Sequence, residues 1–216
     1  GVGLSLANWI VNGDPGFDVW AMDVSRFGDY TSMAFTNARV RENYSRRFSI
    51  RYPNEELTAA RPLLTTPIYD RQLAAGAQFG ASCGLEIPLW YAPNNISDKF
   101  SWRRSTDFEH VAAECNALRA SVGLGDTSNF AKYSISGSGA SAWLDRMLAA
   151  KIPGKGRMTL APMLKEDGKV IGDFSLATLD DDRFLIIGSG AAESYHMRWF
   201  LSHLPDDGSV DLVSHN

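Results

Sequence analysis

The sequence has little cysteine and no excess of basic charge, and both shortages exclude classes of protein. Only two of the 216 residues are cysteines, Cys83 and Cys115. A small secreted fold held by disulfides needs more of them, so we expect free thiols in a reducing compartment. With 21 basic and 25 acidic residues, the chain offers no charge footprint for nucleic acid and no polybasic membrane anchor. A small molecule or another protein is the expected kind of partner.

Other signals are missing as well. The first apolar stretch, residues 1–10, is too short and too polar for a membrane span and lacks the flanks of a signal peptide. The four histidines show no metal-ligand spacing with cysteines or acids, so no metal site is predicted. What is present is ordinary globular composition, 44% hydrophobic and 21% charged. Because the chain starts at Gly1 and leads directly into an apolar helix, we expect a piece of a longer polypeptide.

The pattern along the chain predicts helices separated from a run of strands. Five segments have the pattern of a helix, and hairpin-like turns separate the strand signals of the second half. This order predicts an α+β fold with a largely antiparallel sheet. The predicted helices are 3–12, 30–48, 107–121, 140–150 and 191–204, and the predicted strands are 17–22, a pair within 125–135, 157–164, 170–179 and 184–187.

Three features suggest chemistry, each beside a plainer interpretation. Gly1 and Gly3 before a helix could present backbone N–H groups to an electron-rich ligand, although such glycines more often form only a turn. The arginines at 39, 41, 46 and 47 could bind phosphate, but a solvated or interdomain face is the favoured interpretation. Asp173, inside a strand and next to a glycine, could anchor a ligand or transfer a proton, or could simply face water.

Several motifs in order resemble a known family. The segment 1–10 is similar to the last flavin-contacting turn and helix of FAD-dependent amine oxidoreductases of the dimethylglycine dehydrogenase and sarcosine dehydrogenase family. The stretch from Arg51 through Trp90 and Tyr91 resembles their central module. Residues 122–128, 168–173 and 184–190 resemble the aminomethyltransferase (glycine-cleavage T-protein) folate module.

The resemblance implies the domain plan and the cofactors. It implies the tail of a FAD-binding domain over 1–48, a short mixed central module over 49–104, and the first part of an antiparallel T-protein-like folate domain over 105–216. FAD, bound mostly upstream of this chain, and tetrahydrofolate are the implied cofactors. The implied partners are an N-methyl amine substrate and the rest of the same polypeptide, in a bacterial cytoplasm or a mitochondrial matrix.

The resemblance also implies site residues. Asp173 occupies the place of the acid that contacts the folate nitrogen and is the expected catalytic residue. Leu160 and Ile187 correspond to positions lining the pterin pocket, and Ser189 stands where T-proteins have asparagine. Gly1, Gly3 and Leu4 would lie beside the flavin.

The function implied by these residues is oxidative demethylation of an N-methyl amine, with transfer of the one-carbon unit to tetrahydrofolate; we expect this chain alone to be inactive. Two alternatives stay open at this point. One is a folate-dependent aminomethyl- or methyltransferase without flavin chemistry, which the flavin-like segment 1–91 disfavours. The other is a structural module without catalysis.

Overall fold

The computed structural model describes residues 1–28, 30–93, 96 and 98–215, and it divides into two compact units. The sheet unit comprises residues 1–28 and 130–216, and the hairpin unit comprises residues 29–129. These units are defined by contacts within the fold, and the module boundaries after residues 48 and 104 stay predictions. Among the described residues, none of the helices has the length and apolar character needed to span a bilayer.

The sheet unit is built on one five-stranded sheet in which every neighbouring pair is antiparallel. Its strands are β3 (Phe130–Ser136), β4 (Met158–Leu164), β5 (Val170–Asp180), β6 (Arg183–Ser189) and β7 (Asp211–Ser214), and its helices are α1 (Val2–Asn12), α5 (Ala140–Met147) and α6 (Glu193–Ser202). The spatial order of the strands is β4-β5-β6-β3-β7. The predicted α+β class with an antiparallel sheet is confirmed.

One face of this sheet carries the core. Along β3, Ala131, Tyr133 and Ile135 are buried and alternate with more exposed residues, because successive side chains of a strand point to opposite faces. Helix α5 covers this face with Trp143 and Leu144, and its buried residues recur at three- and four-residue spacing. The resulting cluster includes Phe174, Leu176, Phe184, Ile186 and Phe200.

The hairpin unit has a smaller sheet and fewer buried apolar residues. Its elements are α2 (Met33–Ser45), α3 (Tyr69–Ala74), β1 (Ala77–Ser82), β2 (Leu85–Tyr91) and α4 (Asp107–Ala120). The strands β1 and β2 pair antiparallel through a two-residue loop in which Cys83 and Gly84 both have positive φ. Both angles are what a type I′ turn requires. Cys83 and Cys115 are exposed and are not joined by a disulfide.

Two strand predictions are wrong. Residues 17–22 form a turn with a short 3-10 helix, Trp20–Met22, instead of a strand. The carboxylates of Asp14 and Asp18 accept hydrogen bonds from the backbone N–H groups of Gly16 and Trp20, and this local bonding replaces strand pairing. Within 125–135 there is one strand, β3, and its partners are β6 and β7.

Two predicted helices form where the sequence places them, but their apolar stripes are not buried. Helix α1 forms where predicted, yet Leu4, Ile10 and Val11 are exposed and only Ser5 is buried. Helix α4 also forms as predicted, and none of its residues is buried in the described part of the chain. Their apolar stripes are therefore surfaces of this chain and contribute little to its core.

Candidate functional site

The predicted folate residues lie on the sheet face opposite the core, which we call the outer face. It consists of the side chains of β4, β5, β6, β3 and β7 that alternate with the buried ones. In the row across its middle, Leu160 pairs with Ser175, and Ser175 pairs with Ile187. Leu160 and Ile187 therefore lie on either side of Ser175 on the outer face, in a row that crosses three strands.

The other two predicted residues lie one step further along the same strands. Asp173 is two residues from Ser175 on β5, and Ser189 is two residues from Ile187 on β6. Because β5 and β6 are antiparallel, both steps lead toward the same end of the sheet. Pro162 faces Asp173 on one side and Phe130 faces Ser189 on the other. The structure therefore brings Leu160, Asp173, Ile187 and Ser189 together.

Asp173 is exposed in this chain, in contrast to its buried neighbours Gly172 and Phe174. The sequence left open a ligand anchor and a water-facing strand residue, and the geometry fits both, since the carboxylate points away from the core. Because the Asp173 carboxylate is exposed, folding does not bury its charge, and a ligand on the outer face can reach it. Leu160, 71% exposed, supplies apolar surface beside it.

A buried aromatic ring supports the backbone under Asp173 and Ser189. The Phe174 ring lies against Gly172 and Gly188, the residues that precede the two site residues. A Cβ at either glycine would lie 2.5 Å from a Phe174 ring carbon, which is closer than real contacts allow. The two glycines are therefore required by packing. They leave room for the ring that holds β5 and β6 in place.

His196 of α6 completes this support, and no pattern in the sequence predicts its role. Its ring is buried, meets Phe174 edge-on with centroids 4.7 Å apart, and hydrogen-bonds the backbone of Ile171. Burial lowers the pKa of His196, because the charged imidazolium would lose its hydration. A neutral ring at this position fixes the start of β5, two residues before Asp173.

The predicted flavin contacts lie on another element of the sheet unit. Gly1 is the N-cap of α1, Gly3 lies in its first turn, and Leu4 is 61% exposed. A Cβ at either glycine would meet nothing within 4 Å, so the backbone is open to close approach. The helix start has no side-chain cap, which leaves N–H groups available to a ligand.

Two further candidates from the sequence are a metal site and the arginine group near α2. Among the described residues, no group of three histidine, cysteine or acidic side chains could hold a metal ion. The predicted arginines, at 39, 41, 46 and 47, lie in the hairpin unit, on α2 or directly after it, and none of them is on a strand of the outer face.

Comparison with known proteins places two modules in this chain. The GCVT N-terminal domain model matches residues 68–216, more than half of the chain. The model of the FAD dependent oxidoreductase central domain matches residues 12–66. A solved structure, glycine cleavage system aminomethyltransferase T from Bartonella henselae, superposes with a TM-score of 0.56 at 21% identity over 70% of this chain and 38% of that one. This likeness shows the fold alone.

Curated relatives match nearly the whole of this chain. Mitochondrial dimethylglycine dehydrogenase of Mus musculus is 31% identical over 201 residues, which is 92% of this chain and 23% of the relative. The mitochondrial pyruvate dehydrogenase phosphatase regulatory subunit of Mus musculus is 28% identical over 221 residues, 98% of this chain and 25% of the relative. The chain spans about a quarter of the length of these relatives. It belongs to the GCVT N-terminal domain family and, with its FAD dependent oxidoreductase central segment, to the dimethylglycine and sarcosine dehydrogenase family.

Proposed function

We propose that this chain forms the folate-binding part of a bifunctional flavoenzyme. The complete enzyme would oxidise an N-methyl amine of the dimethylglycine or sarcosine type and pass the one-carbon unit to tetrahydrofolate. The observation that carries this proposal is the convergence of Leu160, Asp173, Ile187 and Ser189 on one exposed sheet face. Residues so far apart in sequence meet there only because of strand register.

In this proposal, the side chains of the outer face bind and orient the folate. Tetrahydrofolate supplies the nitrogen that accepts the one-carbon unit. The Asp173 carboxylate would accept a hydrogen bond from that N–H and would take its proton as the nitrogen adds to the C=N bond of the oxidised amine, whose π electrons return to the amine nitrogen. Leu160 and Ile187 provide apolar surface for the pterin ring. The Ser189 hydroxyl can make one hydrogen bond where an asparagine amide would make two.

The start of α1 is the proposed flavin contact. FAD supplies the hydride acceptor when bound. The uncapped N–H groups after Gly1 and the helix dipole favour negative charge, and Gly1 and Gly3 allow close approach of the ring. Leu4 adds an exposed apolar side chain. The N-methyl amine pocket and the rest of the flavin site belong to the other parts of the polypeptide in this proposal.

The test is Asp173→Ala in the complete enzyme. Amine oxidation should continue at the same rate, while the one-carbon unit leaves as formaldehyde and the yield of methylenetetrahydrofolate falls. Asp145→Ala is the matched control, because Asp145 is an exposed acid on α5, outside the outer face. If the variant transfers the one-carbon unit as well as the control does, the role given to Asp173 is wrong.

One relative favours a second candidate, a regulatory module without catalysis. The phosphatase regulatory subunit matches 98% of this chain, so the fold also occurs in a protein named for regulation. Calorimetry of tetrahydrofolate on the complete protein separates the two candidates, since saturable binding supports the enzyme. Visible flavin absorbance of the same protein distinguishes the flavoenzyme from a folate-dependent transferase without flavin. A bacterial cytoplasm or a mitochondrial matrix would suit the flavoenzyme.

A further inference from the structure

The hairpin unit carries a concentration of positive charge that the proposed function does not use. Residues 41–51 include four arginines and one glutamate, in a chain whose net charge is −4. At the C-terminal end of α2 this segment surrounds a depression of about 590 Å³ that we call the arginine depression. It is lined by Asn43, Tyr44, Arg46, Arg47, Ser49 and Arg51, and no acidic side chain is among these lining residues.

Two carboxylates in this part of the chain, Glu42 and Glu55, already have partners. Glu42 accepts hydrogen bonds from the N–H groups of Thr58 and Ala59, each at 2.9 Å, and does not line the depression. Glu55 pairs with Arg46 and accepts a hydrogen bond from the N–H of Tyr52. One of the three lining arginines is therefore neutralised by a carboxylate, and the other two make no ion pair within the described part of the chain.

These two arginines are held in place by weaker, neutral contacts. Arg51 Nη2 donates to Asn43 Oδ1 at 2.7 Å, which restrains its guanidinium at the edge of the depression. The guanidinium carbon of Arg47 lies 5.8 Å from the ring centroid of Tyr44 and 5.6 Å from that of Phe48. Such contacts restrict the side chains and leave most of their N–H donors unused.

We propose that the arginine depression binds a small phosphate-bearing oxyanion with two or more negative charges, such as a phosphate monoester or pyrophosphate. Arginine forks match phosphate oxygens with paired hydrogen bonds, and the hydroxyl of Tyr44 adds a further donor. The C-terminal end of α2 contributes only about half a negative charge. The uncompensated charge of Arg47 and Arg51 outweighs it. The phosphate interpretation that the sequence alone disfavoured is thus supported by Arg47 and Arg51, which have no carboxylate partner among the described residues.

The test is isothermal titration of the 216-residue chain with pyrophosphate, inorganic phosphate and acetate at constant ionic strength. Pyrophosphate should bind saturably and more tightly than phosphate, and acetate should bind weakest. In Arg47→Gln/Arg51→Gln the Kd for pyrophosphate should rise at least about tenfold, since each substitution removes charge-assisted hydrogen bonds. Arg41→Gln is the matched control, because Arg41 lies on α2 but does not line the depression.

Three outcomes overturn the proposal: no saturable heat with pyrophosphate at millimolar concentration, equal binding of acetate, or an equal loss of affinity in Arg41→Gln. Circular dichroism of each variant checks that the hairpin unit stays folded, and both substituted side chains are exposed, so we expect no change. The result is independent of the folate proposal, which concerns the sheet unit.

Discussion

The sheet unit and the hairpin unit are stabilised in different ways. In the sheet unit, a single cluster of 17 buried apolar residues lies under the sheet. In the described residues of the hairpin unit, the buried apolar residues are Ala77, Trp90 and Ala92, and Thr66, Gln72 and Glu86 are buried beside them. Hydrophobic burial is non-directional, whereas polar contacts depend on geometry. Removing buried side-chain volume should therefore destabilise the sheet unit most, and removing one member of a buried polar pair should destabilise the hairpin unit most.

The largest effect is expected from Phe174→Ala in the sheet unit. The ring is 1% exposed and fills the space beside Gly172 and Gly188, so its removal should cost about 3–5 kcal/mol of unfolding free energy. Urea denaturation measures the loss, and hydrogen exchange of β5 locates it. Phe130→Ala, at a side chain that is 45% exposed, is the control and should cost far less. Equal losses would mean that the cluster does not carry this unit's stability.

In the hairpin unit, the comparable position is an ion pair. Arg61 donates to both carboxylate oxygens of Glu86, at 2.8 and 2.6 Å, and to the carbonyl of Phe79. Glu86 is 2% exposed, so Arg61→Met leaves a buried charge without its partner and should cost about 3 kcal/mol. The double variant Arg61→Met/Glu86→Leu should recover much of this loss. Urea denaturation of the single and double variants decides it, and no recovery would contradict the assignment of the cost to the unpaired charge.

This difference explains how much of the fold could be predicted from sequence. The strands of the sheet unit follow from the alternation of residues such as Tyr133 and Ile135 or Phe184 and Ile186, because burial on one face imposes a period of two. The contact of Arg61 with Glu86 spans 25 positions and has no periodic signal. Only the folded chain brings these two residues together.

The candidate site shows the same limit. The resemblance supplied its four outer-face residues, and strand register explains why they meet. It did not supply His196, because a single histidine on a helix has the same pattern whether it faces the core or the solvent. The carboxylate turns of Asp14 and Asp18 were also missed, and the apolar residues around them indicated a strand. Short-range polar bonding overrode that apolar pattern.

A smaller effect is expected from Gly188→Ala. The new methyl group would lie 2.5 Å from the Phe174 ring, and that ring is enclosed by the core, so about 1–3 kcal/mol should be lost. Gly188→Ala/Phe174→Leu should lose less than the sum of the two single substitutions, because the smaller side chain leaves room for the methyl group. A thermodynamic cycle from urea denaturation measures this coupling. Strict additivity would show that the glycine has no packing role.

The two units should also respond differently to acid. Burial lowers the pKa of His196 below 6.5, so below that pH the unfolded chain binds a proton that the folded chain resists, and the sheet unit loses stability as the pH falls. For Glu42 in the hairpin unit, burial raises the pKa, but hydrogen bonds from Thr58 and Ala59 outweigh burial, and the pKa lies below its usual 4.5. The stability that the Glu42 carboxylate contributes is therefore lost only as the pH falls below about 4.5.

Hydrogen exchange between about pH 7 and pH 5 tests this contrast. Protection of β5 should decrease with falling pH in the unmodified chain and stay constant in His196→Gln, a comparison that cancels the intrinsic pH dependence of exchange. Protection of β2 should not differ between the two proteins. If His196→Gln keeps the pH dependence of β5, the imidazole is not what makes the sheet unit acid-sensitive. The support under Asp173 would then have to rest on the packing of Phe174 against its two glycines alone.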